Sequence, residues 1–231
     1  RCDDRRVALD AIPARMREAV LAIEDRRFYY HPGIDPIRIV GAIITNVFGN
    51  KSYLTGASTI TQQLARNFFL TGEMAVEQQT GQRSALRKIR EQFMAVILET
   101  KATKDEILEL YLNDIPLGQR GSFAIRGFGE AARSYFGKDM KSLTLPEAAL
   151  LAAVIQRPSF LSPYRHPQRA QERRNLVLDG MAETGTISRE DADRAKAAPL
   201  KLAPKVQSLP PILHKPSITP QRSCSKGSRG L

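Results

Sequence analysis

The chain of 231 residues has no tryptophan, and aromatic residues make up only 6% of it. This scarcity argues against a nucleic-acid interface in which aromatic and basic side chains alternate along a groove. Its two cysteines lie at opposite ends, at positions 2 and 224, so neither a disulfide framework nor a zinc site is indicated. The chain also lacks a Walker loop, a zinc-protease motif and a Gly-x-Ser-x-Gly motif, which removes the usual signatures of three enzyme classes.

Long apolar runs are also missing from the sequence. The longest candidate, residues 39–48, is interrupted by Gly41, Thr45 and Asn46, and it falls short of the about 18 apolar residues that span a bilayer. We therefore predict no membrane-spanning helix in this chain. The sequence begins at Arg1 rather than at methionine, so we expect any N-terminal anchor of the full product to lie outside it.

Acidic residues are absent from the end of the chain. The net charge is +11, but all 24 acidic residues lie at or before Asp193, and eight basic residues follow from Arg194. The first 193 residues carry 27 basic groups and a net charge of only +3, so the excess belongs to the tail. Six prolines between 199 and 220 predict a poorly ordered basic Pro/Ser-rich tail or linker over residues 201–231. Such a tail suits an anionic membrane surface, and no nucleic-acid partner is predicted.

The first 200 residues have the periodicity of one all-α domain. The chain is 42% hydrophobic, which is enough to bury a core, and alternating strand patterns are scarce. Residues 71–82 are polar and aperiodic, so we predict a mobile loop there. The predicted helices cover residues 13–24, 37–47, 59–70, 84–100, 104–112, 125–136, 146–156 and 168–183.

Two adjacent carboxylates, Glu24 and Asp25, close the first predicted helix. They face the negative end of the helix dipole and each other, which predicts a raised pKa for at least one of them. A carboxylate with a raised pKa is a better general base near neutral pH. The alternative is an ordinary solvated turn, in which Arg26 and Arg27 neutralise the pair.

A second segment, residues 56–67, predicts a capped helix with a polar face. Thr59 and Gln62 have the spacing of a capping box, and free amides at such a helix N-terminus bind anions. A diphosphate would suit this end, although an ordinary amphipathic helix has the same pattern. The polar face consists of Gln62, Gln63, Arg66 and Asn67. The stripe that we expect to be buried consists of Ile60, Leu64 and Phe68.

A third segment places Glu91 one turn after Arg87 and three residues after Lys88. As an exposed ion pair this arrangement would be worth only about 0.3–0.5 kcal/mol. Met94 and Leu98 continue the face of Glu91, which predicts that the face is partly covered and is a candidate acid or phosphate-handling site. The opposite face of this helix carries an apolar stripe made of Leu86, Ile89, Phe93, Val96 and Ile97.

Five ordered segments of the chain resemble the peptidoglycan glycosyltransferases, glycosyltransferase family 51. This family forms the N-terminal catalytic module of class A penicillin-binding proteins and also has monofunctional members. The resemblance runs from Leu9 to Leu202, so it covers most of the chain. The matching segments are residues 24–33, 56–67, 87–91, 104–118 with 135–137, and 147–152 with 158–178.

The resemblance implies an inverting transfer that polymerises lipid II, a disaccharide-pentapeptide on undecaprenyl diphosphate, into glycan strands. It implies that Glu24 is the general base for the 4-hydroxyl of the acceptor. It also implies that Glu91, with Arg66, Arg87 and Lys88, handles the departing diphosphate, so Glu24 and Glu91 are the predicted catalytic residues. The other residues that it assigns to substrate binding are Asp25, Phe28, His31, Ser58, Thr59, Gln62, Gln63, Asn67, Arg83 and Asn113.

The family fold implied by the resemblance is a lysozyme-like helical lobe with a small apolar jaw, at about residues 34–55, that lies on the membrane. This places the protein at the outer, periplasmic face of the bacterial cell membrane. The apolar positions of the jaw that look exposed are Ile39, Val40, Ile43, Ile44 and Val47. The chain departs from the family at Gly41, where an arginine is usual and Arg38 is the available substitute. The stretch before Arg87 is also longer than usual, and only Arg83 stands for the arginine before the third segment.

The sequence implies partners more clearly than cofactors. We find no metal-ligand motif, so no cofactor is predicted, and Mg²⁺ or Mn²⁺ assistance to the diphosphate is left open. The implied partners are lipid II, the growing glycan strand, the membrane surface and other cell wall synthesis proteins. Two other classes of function stay open: a lysozyme-like enzyme that cleaves finished glycan, and a non-catalytic cationic module that binds membranes or nucleic acid. Neither of them needs cations directed at a diphosphate.

Overall fold

Helices form nearly all of the regular structure in the computed structural model, which describes residues 6–48, 57–82, 84–120 and 123–204. The helices are α1 (Ala14–Glu24), α2 (Pro36–Phe48), α3 (Ile60–Phe69), α4 (Thr71–Thr80), α5 (Ala85–Lys101), α6 (Lys104–Asp114), α7 (Gly127–Phe136), α8 (Leu145–Val154), α9 (Pro167–Glu183) and α10 (Arg189–Ala197). Two strands, β1 (Pro116–Arg120) and β2 (Phe123–Arg126), pair antiparallel between α6 and α7. The predicted all-α class is confirmed, and the hairpin displaces the predicted start of α7 from residue 125 to Gly127.

The core is built around α8. This helix is apolar on every side, and its residues from Ala148 to Val154 are all buried. It packs against α1 and α9, which also pack against each other. The C-terminal end of α1 is therefore held beside α9, and the cleft described below opens at this junction.

Capping boxes begin three of the helices. In each box a threonine hydroxyl accepts a hydrogen bond from a backbone N–H, and a side chain three residues later accepts from the backbone N–H of the threonine. The pairs are Thr59 with Gln62, Thr103 with Glu106, and Thr144 with Glu147. The predicted capping box at Thr59 is thus confirmed, and it fixes the start of α3 at Ile60.

The prediction of a mobile loop over residues 71–82 is wrong. Helix α4 follows α3 almost directly and ends at Thr80, and the next residue, Gly81, provides a left-handed cap with φ of 69°. Its polar residues are held by partners on α5, because Glu73 pairs with Arg90 and Glu77 with Arg87, each at 2.7 Å. These tertiary ion pairs compensate for the weak periodicity that suggested a loop.

The sequence also failed to predict α10. Its segment is almost entirely charged or alanine, so no apolar stripe marks it, and only Ala192 and Ala195 are buried. The Ser188 side chain accepts a hydrogen bond from the Asp191 N–H and caps the helix. It packs against α9, where Arg189 and Lys196 form ion pairs with Asp179 at 3.2 and 2.5 Å.

Helix α5 lies in the opposite orientation to an ordinary amphipathic helix. Its buried residues are Glu91 and Ala95, and its apolar stripe faces solvent, with Phe93 exposed by 66%. The other exposed members of the stripe are Leu86, Ile89, Val96 and Ile97. The predicted cover over Glu91 is confirmed, and a large apolar face is left without a protein partner among the described residues.

Several predictions fall partly outside the described residues. The predicted tail lies outside from residue 205 onward, and the jaw lies outside over residues 49–56. Leu200 and Leu202, just before that point, pack against the core. Within the jaw, Val40 and Ile44 are exposed as predicted, whereas Ile39 is only partly exposed. The side chains of Ile43 and Val47 are not described. None of the helices in the described ranges is long and apolar enough to span a membrane.

Candidate active site

A cleft of about 830 Å³ opens where α1, α2, α3 and α9 meet. Glu24, the last residue of α1, lies in it and is 8% exposed. The predicted site residues that line this cleft are Glu24, Ser58, Gln63, Arg66 and Asn67. The predicted residues outside its lining are Asp25, Phe28, His31, Thr59, Gln62, Arg87, Lys88, Glu91 and Asn113. Arg83 lies outside the described residues.

The carboxylate of Glu24 is held by a chain of two buried hydrogen bonds. Its Oε2 accepts from Nε2 of Gln63 at 2.8 Å. The Oε1 of Gln63 accepts in turn from the hydroxyl of Tyr111 on α6, also at 2.8 Å. The carboxylate therefore has one fixed partner inside the protein, while its residue still lines the cleft.

Burial raises the pKa of Glu24 above its ordinary value. The hydrogen bond from Gln63 and the positive charges of Arg173, Arg38 and Arg66 oppose this rise. The predicted direction is confirmed, but the physical cause is loss of water around the carboxylate. A glutamate in this state is suited to accept a proton near neutral pH.

Asp25 has a different role from its neighbour. Its carboxylate is fully buried, accepts from the Ile60 N–H at 3.0 Å, and lies 3.1 Å from Nε2 of His31. The acid thus occupies the N-terminus of α3, so the free anion site predicted there is wrong: the anion bound is a carboxylate of the protein itself. Phe28 is buried with its ring edge-on to His31, and both residues support the turn from inside.

The alternative of a solvated, neutralised turn at Glu24 and Asp25 is contradicted by the ion pairs. Arg26 pairs with Glu183 at 2.8 Å, and Arg27 pairs with Asp35 at 3.4 Å. Both arginines are therefore directed to other acids, and Glu24 and Asp25 are buried rather than solvated.

Arg38 reaches Glu24 from α2, three residues before Gly41. Asp35 caps α2 by accepting from the Arg38 N–H at 3.1 Å. The guanidinium of Arg38 then donates to the backbone carbonyl of Glu24 and lies 3.7 Å from the Asp25 carboxylate. Arg38 also lines the cleft, which supports its proposed substitution for the family's arginine.

The polar face predicted for α3 is divided between the interior and the cleft. Gln62 is buried and lies outside the cleft lining, whereas Arg66 and Asn67 line the cleft. Gln63 is mostly buried but also belongs to the lining. Ile60 and Leu64 are buried as predicted, but Phe68 is 48% exposed, so its assignment to the buried stripe is wrong. The first two turns of α3 are buried in the protein, and its C-terminal end is more exposed and lies beside α4.

Glu91 is fully buried between two cations. Its Oε2 accepts from Arg87 at 2.7 Å and its Oε1 from Lys88 at 2.6 Å. Lys88 also donates to the hydroxyl of Ser58 at 2.9 Å, and Ser58 lines the cleft. The Glu91 network therefore reaches the edge of the cleft through Lys88 and Ser58.

Nothing in the sequence indicated that Glu77 belongs to this network. Its Oε1 accepts from Nε of Arg87 at 2.7 Å, and this hydrogen bond raises the pKa of Arg87. It also accepts from the Ser84 N–H at 2.8 Å, which links the end of α4 to the start of α5. Residues 71–82 were predicted to be a loop, so helical periodicity was not used to predict which way Glu77 points.

Asn113 lies outside the cleft lining and binds the start of the chain. Its side chain accepts from the Val7 N–H at 2.9 Å and donates to the Val7 carbonyl at 2.8 Å. These bonds give it a structural function at the end of α6. The described contacts do not bring it to a ligand in the cleft.

Sequence reasoning did not select Arg173, which comes from α9. It lines the cleft and lowers the pKa of Glu24 through its positive charge. It lies far from the other cleft residues along the chain, and its local sequence is simply that of a basic helix. Only its presence within the last matching segment could have suggested it.

One group of side chains among the described residues has the composition of a metal site. Asp25, His31 and Asp35 bring potential ligand atoms within 4.8 Å of one another, and all three are buried. Asp25 already accepts from Ile60 and lies near Arg38, while Asp35 lies near Arg27. Mg²⁺ and Mn²⁺ prefer oxygen ligands and retained waters, so this shielded, cation-flanked group does not fit a cation that assists a diphosphate.

Comparison with known proteins gives consistent matches. A family model described as Transglycosylase matches residues 2–182. A Cupriavidus necator protein named as a transglycosylase is 44% identical over 85% of this chain and 78% of its own length. Penicillin-binding protein 1A of Escherichia coli is 43% identical over 90% of this chain and 23% of its own length. Penicillin-binding protein 1B of Vibrio cholerae is 39% identical over 86% of this chain and 24% of its own length.

Among solved structures, penicillin-binding protein 1A from Haemophilus influenzae matches with a TM-score of 0.48 and 25% sequence identity. The match covers 86% of this chain and 18% of that chain. This chain therefore spans about a quarter of the length of the Escherichia coli and Vibrio cholerae relatives, but most of the length of the Cupriavidus necator protein.

Proposed function

The chain belongs to the transglycosylase family, and on that premise we propose that it is a peptidoglycan glycosyltransferase of bacterial cell wall synthesis. Its substrates are lipid II and the growing glycan strand, and its second product is undecaprenyl diphosphate. The observation that carries this proposal is the placement of Glu24, with a raised pKa, in one cleft with Arg38, Arg66 and Arg173.

Glu24 activates the acceptor sugar. As the 4-hydroxyl oxygen of the acceptor attacks the anomeric carbon of the donor, Glu24 takes the hydroxyl proton. The new bond joins this oxygen to the anomeric carbon, and the bond from that carbon to the diphosphate oxygen breaks on the opposite face. The electron pair leaves with the diphosphate, and the anomeric configuration inverts.

The cations around the cleft stabilise the leaving diphosphate. Negative charge grows on its oxygens as the bond breaks, and preorganised cations stabilise this charge most in the transition state. Arg66 and Lys88 reach the cleft or its edge, and Lys88 does so through Ser58. Glu91 has no exposed surface, so it serves by holding Arg87 and Lys88 in position. No step is assigned to a divalent cation.

A lysozyme-like hydrolase fits the cleft less well. Glycan cleavage uses a protonated carboxylic acid to assist the departing sugar oxygen, together with a second carboxylate. A diphosphate leaves as an anion and needs cations instead. Arg38, Arg66 and Arg173, which come from three helices, all face the charge of Glu24 and favour the transfer reaction.

We place the protein on the outer face of the bacterial cell membrane, where its lipid-linked substrate lies. Ile37, Val40 and Ile44 of α2 are exposed, as the apolar jaw requires. The apolar stripe of α5 offers a second apolar face, which the sequence did not indicate as exposed. Apolar helix faces of this kind enter the boundary between lipid headgroups and acyl chains. Other cell wall synthesis proteins are further proposed partners.

The test is incubation of the protein with lipid II and, separately, with finished glycan. Growth of strands from lipid II supports the proposal, whereas cleavage of finished glycan supports the hydrolase. If neither reaction occurs, the result supports the non-catalytic binding module.

Glu24→Gln keeps the shape of the side chain and should reduce polymerisation by about 10²-fold or more. Glu147→Gln, which changes a capping acid outside the cleft, is the matched control and should stay within a few-fold of the parent.

A further inference from the structure

Tyr111 makes a buried hydrogen bond that the packing of the core does not require. Its side chain is fully buried on α6, and its hydroxyl donates to Oε1 of Gln63 at 2.8 Å. A phenylalanine would fill the same space without the need to satisfy a buried hydroxyl. Tyr111 does not line the cleft, so it has no direct route to a bound substrate.

The hydroxyl supports the orientation in which the Gln63 amide donates to Glu24. A carboxylate can only accept, so the amide must present its NH₂ group to Glu24 and its oxygen to the other side. That oxygen then needs a donor in the protein interior, and Tyr111 supplies it. Without this donor, rotation of the amide by half a turn would set its oxygen against the carboxylate.

We propose that Tyr111 is a positioning residue for Glu24: its hydroxyl locks the Gln63 amide in the orientation that donates to the carboxylate and fixes its direction in the cleft. This inference rests on the proposed function, in which Glu24 is the general base. Tyr111 touches no substrate, and it acts through Gln63 alone.

The hydrogen bond from Tyr111 to Gln63 persists over the whole working range of pH. Burial and the nearby charge of Glu24 raise the pKa of Tyr111 well above its ordinary value, so its hydroxyl stays protonated and keeps donating. The charged groups among the described residues that act on Glu24 are Arg38 on α2, Arg66 on α3 and Arg173 on α9. Asp25, Arg38 and Arg66 also act on Tyr111. Replacement of Tyr111 by phenylalanine alters none of these charges.

The experiment is a pH–rate profile on lipid II with Tyr111→Phe. Loss of the lock removes a donor from the Glu24 carboxylate and favours its protonation, so the acidic limb of kcat should move to higher pH by roughly half a unit. Activity below the limb should fall roughly threefold, and KM should stay near the parental value. The parental protein and Glu24→Gln are measured beside it, so an inactive parent would count against the proposed function and not against this inference.

Tyr135→Phe is the matched control. Tyr135 is also buried, and its hydroxyl donates to the Leu117 carbonyl at 2.7 Å, away from the cleft lining. Its loss should lower the melting temperature comparably but leave the acidic limb in place. Equal limb shifts in the two variants would show a general structural effect and overturn the proposal.

Gln63→Met provides a second test that does not depend on the folding of Tyr111→Phe. Methionine has a similar length and cannot donate, so the limb should move in the same direction by at least as much. Addition of Tyr111→Phe to Gln63→Met should then move it no further. An unmoved limb in Gln63→Met, or an additional shift in the double variant, would contradict the relay.

Discussion

At the scale of single residues, the structure separates acids that the sequence presents as similar. Glu24 and Asp25 are neighbours, yet the first lines the cleft and the second caps α3 inside the protein. Glu91 is buried as well, but two cations compensate its charge. The charge of Glu24 is compensated less directly, since no described cation forms an ion pair with its carboxylate.

This difference predicts that Glu24→Gln stabilises the protein at neutral pH. The pKa of Glu24 is raised in the folded state. The stability that this residue contributes is therefore fully present below its ordinary pKa of 4.5 and is lost as pH rises through the folded pKa. Glutamine has no such loss. The melting temperature of the variant should therefore exceed that of the parent at pH 7 to 8, and the difference should shrink toward pH 4. An equal difference at both pH values would contradict the raised pKa.

Lys88→Ala tests whether the Glu91 network serves the leaving group. A charge-assisted contact to a diphosphate is worth about 1.5–3 kcal/mol, so polymerisation should fall roughly ten- to a hundred-fold. Arg87 remains beside Glu91, and the melting temperature should change little. Arg90→Ala on the same helix, which breaks an exposed pair with Glu73, is the control and should keep parental rates. A Lys88→Ala protein that melts lower but polymerises normally would remove Lys88 from the mechanism.

At the scale of elements, α5 and α4 show how tertiary contacts override local patterns. An apolar stripe ordinarily marks the buried side of a helix, but α5 buries its charged side against α3 and exposes the stripe. The backbone itself fits closely there, because Gly33 has φ of 87° and lies against α5. A Cβ at Gly33 would stand 2.9 Å from the Ala95 carbonyl oxygen. This close contact holds the Ala95 side of α5 against the protein, so the apolar stripe on the other side faces solvent.

The exposed stripe predicts membrane binding by α5. Ile89→Asp with Phe93→Asp should weaken binding to vesicles of anionic lipid, because apolar area no longer enters the interface. The melting temperature should hold, since both side chains are already exposed. Gln168→Asp with Gln171→Asp adds the same charge on exposed positions of α9 and controls for repulsion by the lipids. Equal loss of binding in both double variants would show that charge, and not apolar contact, is responsible.

At the scale of the whole molecule, the cleft exists because distant helices share one core. Arg38, Arg66 and Arg173 belong to three helices, and the core around α8 keeps α9 beside α1. The segment after α10 also belongs to this core. The Ala203 N–H donates to the Tyr135 carbonyl at 2.8 Å, and the hydroxyl of Tyr164 donates to the Ala203 carbonyl at 2.9 Å.

This closure predicts a difference between two shortened chains. A protein ending at Ala198 should melt at a lower temperature than one ending at Pro204, because Leu200 and Leu202 would no longer pack on the core. The carbonyl of Tyr135 would also lose the Ala203 N–H as its partner, and the hydroxyl of Tyr164 would be left with the Ser134 carbonyl, at 3.1 Å. Thermal unfolding followed by circular dichroism measures the difference. Identical melting temperatures would show that this segment adds nothing to the core.

The sequence by itself determined the helical class, most helix bounds and the order of the five segments. These features depend on local rules: spacing of apolar residues, capping pairs such as Thr59 with Gln62, and motifs short enough to be seen in one stretch. The raised pKa of Glu24 was also predicted in direction, although from the wrong cause. Helices α4 and α10 were not predicted, because their polar or alanine-rich segments are stabilised by contacts with other elements.

Only the tertiary structure decided which predicted residues meet. In the structure Asn113 binds the backbone of Val7, and Asp25 accepts a hydrogen bond at the N-terminus of α3. The apolar stripe of α5 faces solvent. The structure also added Arg173 and the link from Tyr111 through Gln63 to Glu24. The reason is that burial and hydrogen-bond direction depend on neighbours far away in the chain, and periodicity along one segment carries no information about them.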